Sequence, residues 1–325
     1  MNNYSNEKEF LDRLAEVDQN TVWTMNDPAS LEFVEDKESE TGLNYVTPAG
    51  FAEDIRECAM PTLWQRYGIA GPILDRLNPE AKAKLLNFAT GYTPDSLIQI
   101  PIVEGKANAF LSSKYVPYKT SRLFQKVGKA VEYESFNGFW AYEGSAGVYK
   151  LNKTVTLTDR NGNEVERPVV LDVRTSDIGE SSVAFRCHIR CNDERDVPMM
   201  SDINIIHMGA GVDEAIERTI DSLNAVIDTN ARKLNALMYV DIDEQPKAVA
   251  KRAARWAKLP KRDSLEVINE WTPGEFTSAF DIYLVLSKVI DKQEDRNGKI
   301  RIGGDLARLI GTNWKQFDLP GDYAW

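Results

Sequence analysis

Apolar residues repeat along this chain at two spacings, and the spacing decides which element each segment forms. Between residues 147 and 159 the repeat is two: Tyr149, Leu151, Val155 and Leu157 share one side, and Lys150, Asn152, Thr154 and Thr156 the other. Successive side chains of a strand point to opposite faces, so this predicts a half-buried strand. Asn161-Gly162, a pair that tolerates positive φ, then predicts a hairpin with a return strand over about 164–173. A third strand is predicted over 182–192, with Val183, Phe185, Cys187, Ile189 and Cys191 on one face and Arg186, His188 and Arg190 on the other. From 212 to 237 the repeat changes to three and four. Val212, Ile216, Ile220, Leu223, Ile227, Leu234 and Leu237 form one stripe, with Asp213 and Glu214 in the first turn, as a long amphipathic helix requires.

Other segments carry weaker punctuation. Residues 50–90 read as helical with interruptions, and Asn78-Pro79-Glu80 is a good helix start, predicting a helix over 80–89 that buries Ala81, Leu85, Leu86 and Phe88. Helices are also predicted over 247–258 and 277–291, followed by a tail with Trp314, Phe317, Tyr323 and Trp325. The fold class is α+β: an antiparallel β-meander at about 147–192, a long helix at about 212–238 packed on one face, and helical segments at both ends. Residues 1–48 read as an acidic leader and 49–325 as a single α+β domain. The leader contains one amphipathic turn (Phe10, Leu11, Leu14, Val17) ahead of an acid-rich run over 32–40.

Composition narrows the function classes. In 325 residues, 42% are apolar and 27% charged, the balance of a soluble globular protein. No stretch approaches the ~18 apolar residues of a membrane helix, and the polar start MNNYSNEKEF has no secretory or transit character. No membrane association is expected. Three cysteines are too few for a disulfide scaffold, which predicts reduced thiols and a cytoplasmic setting. Only two histidines are present, and no GxxxxGK[ST], GxSxG or HExxH motif occurs, so no catalytic role, cofactor or metal is expected. Cys187, His188, Cys191 and His207 are zinc-type ligands, but on a strand the two cysteines stand about 13 Å apart and His188 faces the other way. Gly209-Ala-Gly211 lacks the third small residue of a dinucleotide fingerprint, having Glu214 there, and reads as a turn. Asp193, Glu194, Asp196 and Asp202 supply carboxylates for a metal-dependent nuclease, without diagnostic spacing.

Charge is more informative by its placement. Of the net −11, residues 1–60 carry −10, whereas residues 61–130 carry +6, and 246–262 hold seven basic residues and no acid. Lys247, Lys251, Arg255 and Lys258 fall on one helix face. Lys114, Tyr115, Tyr118, Lys119, Arg122 and Lys126 interleave cations with aromatics, a pattern suited to phosphate contacts and base stacking on a single strand. Arg186 and Arg190 add a stripe on the third strand. Two readings stay open: a nucleic-acid surface, or charged helix faces around tyrosines packed in the core.

Several short motifs, taken in order, resemble one family. Ala109-Phe-Leu-Ser-Ser-Lys-Tyr115 resembles the LS-x-x-Y signature of the phage/plasmid-like proteins catalogued as domain of unknown function 932. Arg174-Thr-Ser-Asp-Ile-Gly179, Arg190-Cys-Asn192 and Ile205-Ile-His-Met-Gly209 resemble its later turn, strand end and step before a long helix, and residues 279–286 its late aromatic helix. Asp193 stands where the family tends to have Gly. The resemblance spans about 105–315 and implies a strand–strand–strand–helix core similar to single-strand annealing recombinases of the lambda Beta and RecT type. By that analogy the expected role is single-stranded DNA binding by a homo-oligomer that assists annealing without ATP, in a bacterial host cytoplasm. The alternative is a virion component or an inhibitor of host defence, motivated by overall acidity. The leader either masks the basic islands, docking on the face of Lys251, Arg255 and Lys258, or packs through Phe10, Leu14 and Trp23 as part of the fold.

Overall fold

The computed structural model describes residues 2–71, 73–92, 96–158, 162–176, 182–191, 195–294 and 296–325. The chain begins with β1 (Asn2–Tyr4), α1 (Glu7–Asn20), β2 (Val22–Asn26), β3 (Glu32–Glu35), β4 (Leu43–Val46) and β5 (Ala52–Ile55). Then come α2 (Met60–Arg66), α3 (Pro79–Thr90), β6 (Ile98–Val103), β7 (Lys106–Ala107), β8 (Leu111–Ser112) and α4 (Thr120–Ala130). The middle holds β9 (Tyr133–Ala141), β10 (Gly144–Thr158), β11 (Glu164–Thr175), β12 (Val183–Arg190), β13 (Asp196–Pro198) and β14 (Ile203–Ile205). The last part is helical: α5 (Val212–Ala236), α6 (Pro246–Trp256), α7 (Lys261–Glu270), α8 (Ala279–Asp291) and α9 (Arg296–Ala307).

The predicted meander is the centre of the first sheet, ordered β1-β9-β10-β11-β12-β13, with β14 also on β12. Strands β10 and β11 pair antiparallel from Ser145↔Thr175 to Thr158↔Glu164, with a register shift between Lys150 and Thr154. Asn161 of the connecting turn lies outside the described residues; Gly162 has φ 78°. Tyr149, Leu171, Phe185 and Cys187 are buried on the face that meets α5, whose Ile216, Ile220, Leu223, Ile227 and Leu234 are buried in turn. Gly211, in the left-handed region at φ 89°, is the turn from which α5 starts. The fold is therefore α+β, with the long helix on the sheet as its periodicity requires.

The N-terminal segments differ from the expectation. Residues 2–48 are not a leader. Strand β1 pairs with β9, and α1 buries Phe10 and Leu14 between the sheet and α4. Phe10 lies edge-on to Phe124, with centroids 5.0 Å apart. Asp18 of α1 accepts from the backbone N–H groups of Thr120 and Ser121 (3.2 and 2.8 Å), capping α4, whose own N-cap residue Lys119 makes no side-chain cap. The remaining segments form a second sheet, ordered β2-β6-β7-β5-β4-β3 with β8 on β6, around Phe33, Leu43, Tyr45, Ile55, Leu63 and Ile100. The N-terminal flank is thus a sheet with α2 and α3 on it, not a set of helices, and residues 52–55 are strand. Helix α3 starts as predicted, Asn78 accepting from Ala81 N–H, but it buries Ala83, Leu86 and Ala89. Phe88 is 67% exposed, because α3 covers the edge strand β3, where the Asn87 side chain bonds both N–H and C=O of Phe33 at 2.7 Å. This pairing also shields an edge that would otherwise offer free backbone groups.

The two sheets are latched together. Arg13 bonds Glu104 at 2.7 Å and lies over the Trp140 ring, while Arg56 lies 3.5 Å from the Tyr142 ring centroid and donates to Val103 C=O. No helix among the described residues is long and apolar enough to cross a membrane.

Candidate nucleic-acid interface

The basic residues singled out from sequence divide by what they touch. In the first island, Tyr115 and Tyr118 are buried and offer no open ring face. Tyr115 stacks between Trp23 (5.8 Å, 18°) and His207 (5.2 Å, 13°), so this tyrosine ties β2 to the turn after β14. His207 is itself buried; its ring nitrogens lie 3.2 Å from Val116 C=O and 3.3 Å from the Thr175 hydroxyl. Tyr118 donates to Glu217 of α5, and Arg122 and Lys126 pair with the same carboxylate. The hydrogen bond from Lys126 holds the Glu217 carboxyl below the usual range, and burial together with the Glu217 charge pushes the Tyr118 phenol up to about 12. Three of the six residues in this island are therefore spent on one acid. Lys114 and Lys119 are exposed and make no ion pair with a described residue.

The strand stripe is neutralised as well. Arg186 is buried and bonds Asp202 through Nε at 2.6 Å, and Arg190 meets Asp196 at 2.9 Å. Asp172, directly opposite Arg186 in the register, binds Arg174 at 2.6 Å. Among these charges the His188 Nδ1 is buried without a hydrogen-bond partner, and burial lowers its pKa despite Asp172 and Asp196. Cys187 faces the core from the same strand, its thiol pushed up to about 12 by burial, so the thiol and the His188 ring stand on opposite faces. Asn192, Asp193, Glu194 and residues 177–179 of the family-like turn lie outside the described residues.

The second island belongs to the C-terminal helices. Lys247 bonds Asn269 C=O at 2.9 Å, Lys251 lies 3.9 Å from Asp322, and Arg255 bonds the Tyr323 hydroxyl. Arg252 donates to the carbonyls of Phe317, Leu319 and Gly321, clamping the tail. Lys258, with φ 61° at the end of α6, is exposed and has no ion pair with a described residue. Helix α4 packs on the N-terminal half of α5, through Glu217 and Asn224, whereas α6 follows after the C-terminal end of α5.

No family model, curated protein or solved structure matches this chain.

One group escaped the sequence reading. A cleft of about 620 Å³ opens between the two sheets, lined by Gln65, Arg66, Leu111, Tyr115, Ile206 and Met208 among others. The Arg66 Nε is shielded from solvent and unbonded, and no carboxylate acts on its guanidinium. Arg66 ends a short helix with no periodic charge around it, so the sequence gives no sign that it faces a cavity.

Proposed function

We propose that this protein binds single-stranded nucleic acid through backbone phosphates and assists strand annealing without ATP as a homo-oligomer. Support comes chiefly from the lysines that flank the segment before α4: Lys114 and Lys119 are exposed with no ion pair among the described residues, unlike their neighbours Arg122 and Lys126. Charge contacts of this kind carry affinity without reading sequence. The binding mode is narrower than the residue pattern implies, because Tyr115 and Tyr118 are packed inside and contribute no stacking. The succession of family-like motifs points the same way, with Ser112, Tyr115, His207 and Gly209 meeting at one junction: Val116 N–H bonds His207 C=O and Gly209 N–H bonds Lys114 C=O.

The test is fluorescence anisotropy of a labelled oligonucleotide with the native chain and the double variant Lys114→Glu/Lys119→Glu. Each lysine that contacts a phosphate should lower the steepness of the salt dependence by about 0.7 on removal, so the variant should bind more weakly and with a flatter salt response. Equal affinity in both proteins would contradict the assignment.

A second reading, docking to a partner protein as a virion component or defence inhibitor, is favoured by one observation. The Phe88 and Tyr92 rings lie 5.2 Å apart, tilted by 43°, on α3 and the turn after it, 67% and 77% exposed. Such aromatics are enriched where proteins associate. Stoichiometric presence of the chain in purified virions would support this reading over the first.

A further inference from the structure

The geometry points to the inter-sheet cleft as a binding site for a small planar compound that carries one phosphate or carboxylate, held by Arg66 and laid against Ile206 and Met208. This inference does not depend on the nucleic-acid reading. A cleft of about 620 Å³ lies within the range of roughly 300–1,000 Å³ typical of small-molecule sites. Its polar wall is nearly all satisfied internally. The Thr62 hydroxyl donates to Ala59 C=O and accepts from Phe110 N–H, Ser112 accepts from Lys114 N–H, and Ser182 donates to Asn204. Arg66 and the exposed Gln65 are the exceptions, and Arg66 alone is charged: its Nε has no acceptor and its guanidinium has no ion-pair partner among the described residues. The guanidinium is half-exposed on the cleft wall and carries no counter-ion, so an anion entering the cleft accepts a charge-assisted hydrogen bond from its open N–H groups.

The opposite wall selects the body of the ligand. Ile206 and Met208, just after β14, are 66% and 55% exposed, large apolar side chains left open at the cleft. Beside them the Tyr115 and His207 rings are locked in their stack with Trp23, giving a rigid floor. A flat ring covers this apolar wall while its anion reaches Arg66. A bare anion covers none of it, and a neutral ring leaves Arg66 unpaired.

Isothermal titration of the full chain tests this with four probes: thymidine monophosphate, thymidine, inorganic phosphate and an aromatic carboxylate of similar size. Saturable binding is expected for thymidine monophosphate or the aromatic carboxylate and not for thymidine or phosphate; which of the two binds tighter identifies the anion. Arg66→Ala should weaken that binding about 10- to 100-fold, the worth of a hydrogen bond to a charged group, with an unchanged melting temperature because Arg66 has no partner to lose. Met208→Glu, on an exposed side chain, should weaken it as well. No binding of either anionic ring compound up to millimolar concentration, or equal binding by Arg66→Ala, overturns the inference. So does a Met208→Glu protein that folds and binds as tightly as the native chain. Oligonucleotide binding measured on the same samples separates failure of this site from failure of the nucleic-acid reading.

Discussion

Gly138 has no side chain because Phe10 occupies the space. A Cβ on Gly138 would lie 2.7 Å from the Phe10 ring, and one on the neighbouring strand at Gly147 would lie 2.9 Å from Phe124. These two glycines let a tight aromatic cluster sit directly on the sheet. Gly138→Ala should therefore overpack the core and cost about 1–3 kcal/mol, read as a lower melting temperature. An unchanged melt would mean that Phe10 is not held there. His188 makes a prediction of opposite character. Its folded pKa lies below the ordinary 6.5 because burial disfavours the imidazolium, so the unfolded chain binds more protons once the pH falls below that value. Its contribution to stability is then lost as the pH drops from about 6.5 through the lowered value, against the pull of Asp172, Asp196 and Asp202 and with the push of Arg186. Melting curves across this range should show His188→Asn losing less stability than the native chain. Parallel curves would place the acid sensitivity elsewhere.

At the scale of elements, the meander and α5 were legible because each has one buried and one open face, which stamps a period of two or about 3.6 on the sequence. The fate of the basic island on α4 was not. Its counter-ion Glu217 lies 95 residues beyond Arg122, on a helix whose solvent face carries charges of both signs. No local pattern reports such a pairing. Glu217→Gln tests what the pairing does. It removes the negative charge shared by Tyr118, Arg122 and Lys126 while keeping one acceptor oxygen, so the protein should be modestly less stable, since the pairs are partly exposed. If α4 contributes to the phosphate surface, the same variant should bind an oligonucleotide more tightly than the native chain, because two cations are released. Loss of stability with no gain in affinity would mean that Arg122 and Lys126 serve only to fasten α4 to α5.

For the whole molecule, the main departure from sequence reading is the N-terminal region. Strands β3 and β4 have four residues each, and Glu32, Glu35 and the acids beside them mask the buried Phe33, Leu43 and Tyr45. Strands so short leave too few alternations for a period to show, and the excess of acid suggested a solvated tail instead. Two acids of α1 are engaged with the body of the fold: Glu7 accepts from the Tyr133 hydroxyl and Asp18 caps α4. No acid of α1 pairs with Lys251, Arg255 or Lys258 among the described residues; Lys251 and Arg255 face Asp322 and Tyr323 of the C-terminal tail. Deleting residues 1–45 removes β1, α1, β2 and β3 together with Phe10, Leu14, Phe33 and Leu43. Circular dichroism and gel filtration should find that product unfolded or aggregated; a well-folded truncated protein would restore the leader. Phosphate contact, in a protein that is acidic overall, would come from a few lysines that have no ion pair among the described residues. The direct measurement is the affinity of the native chain for an unstructured single-stranded oligonucleotide as salt is raised from low to physiological concentration. With each neutralised phosphate contributing about −0.7 to the slope of log K against log salt, contacts from Lys114, Lys119 and Lys258 predict a slope of roughly −2. A flat response, or no binding at micromolar protein in low salt, would contradict it.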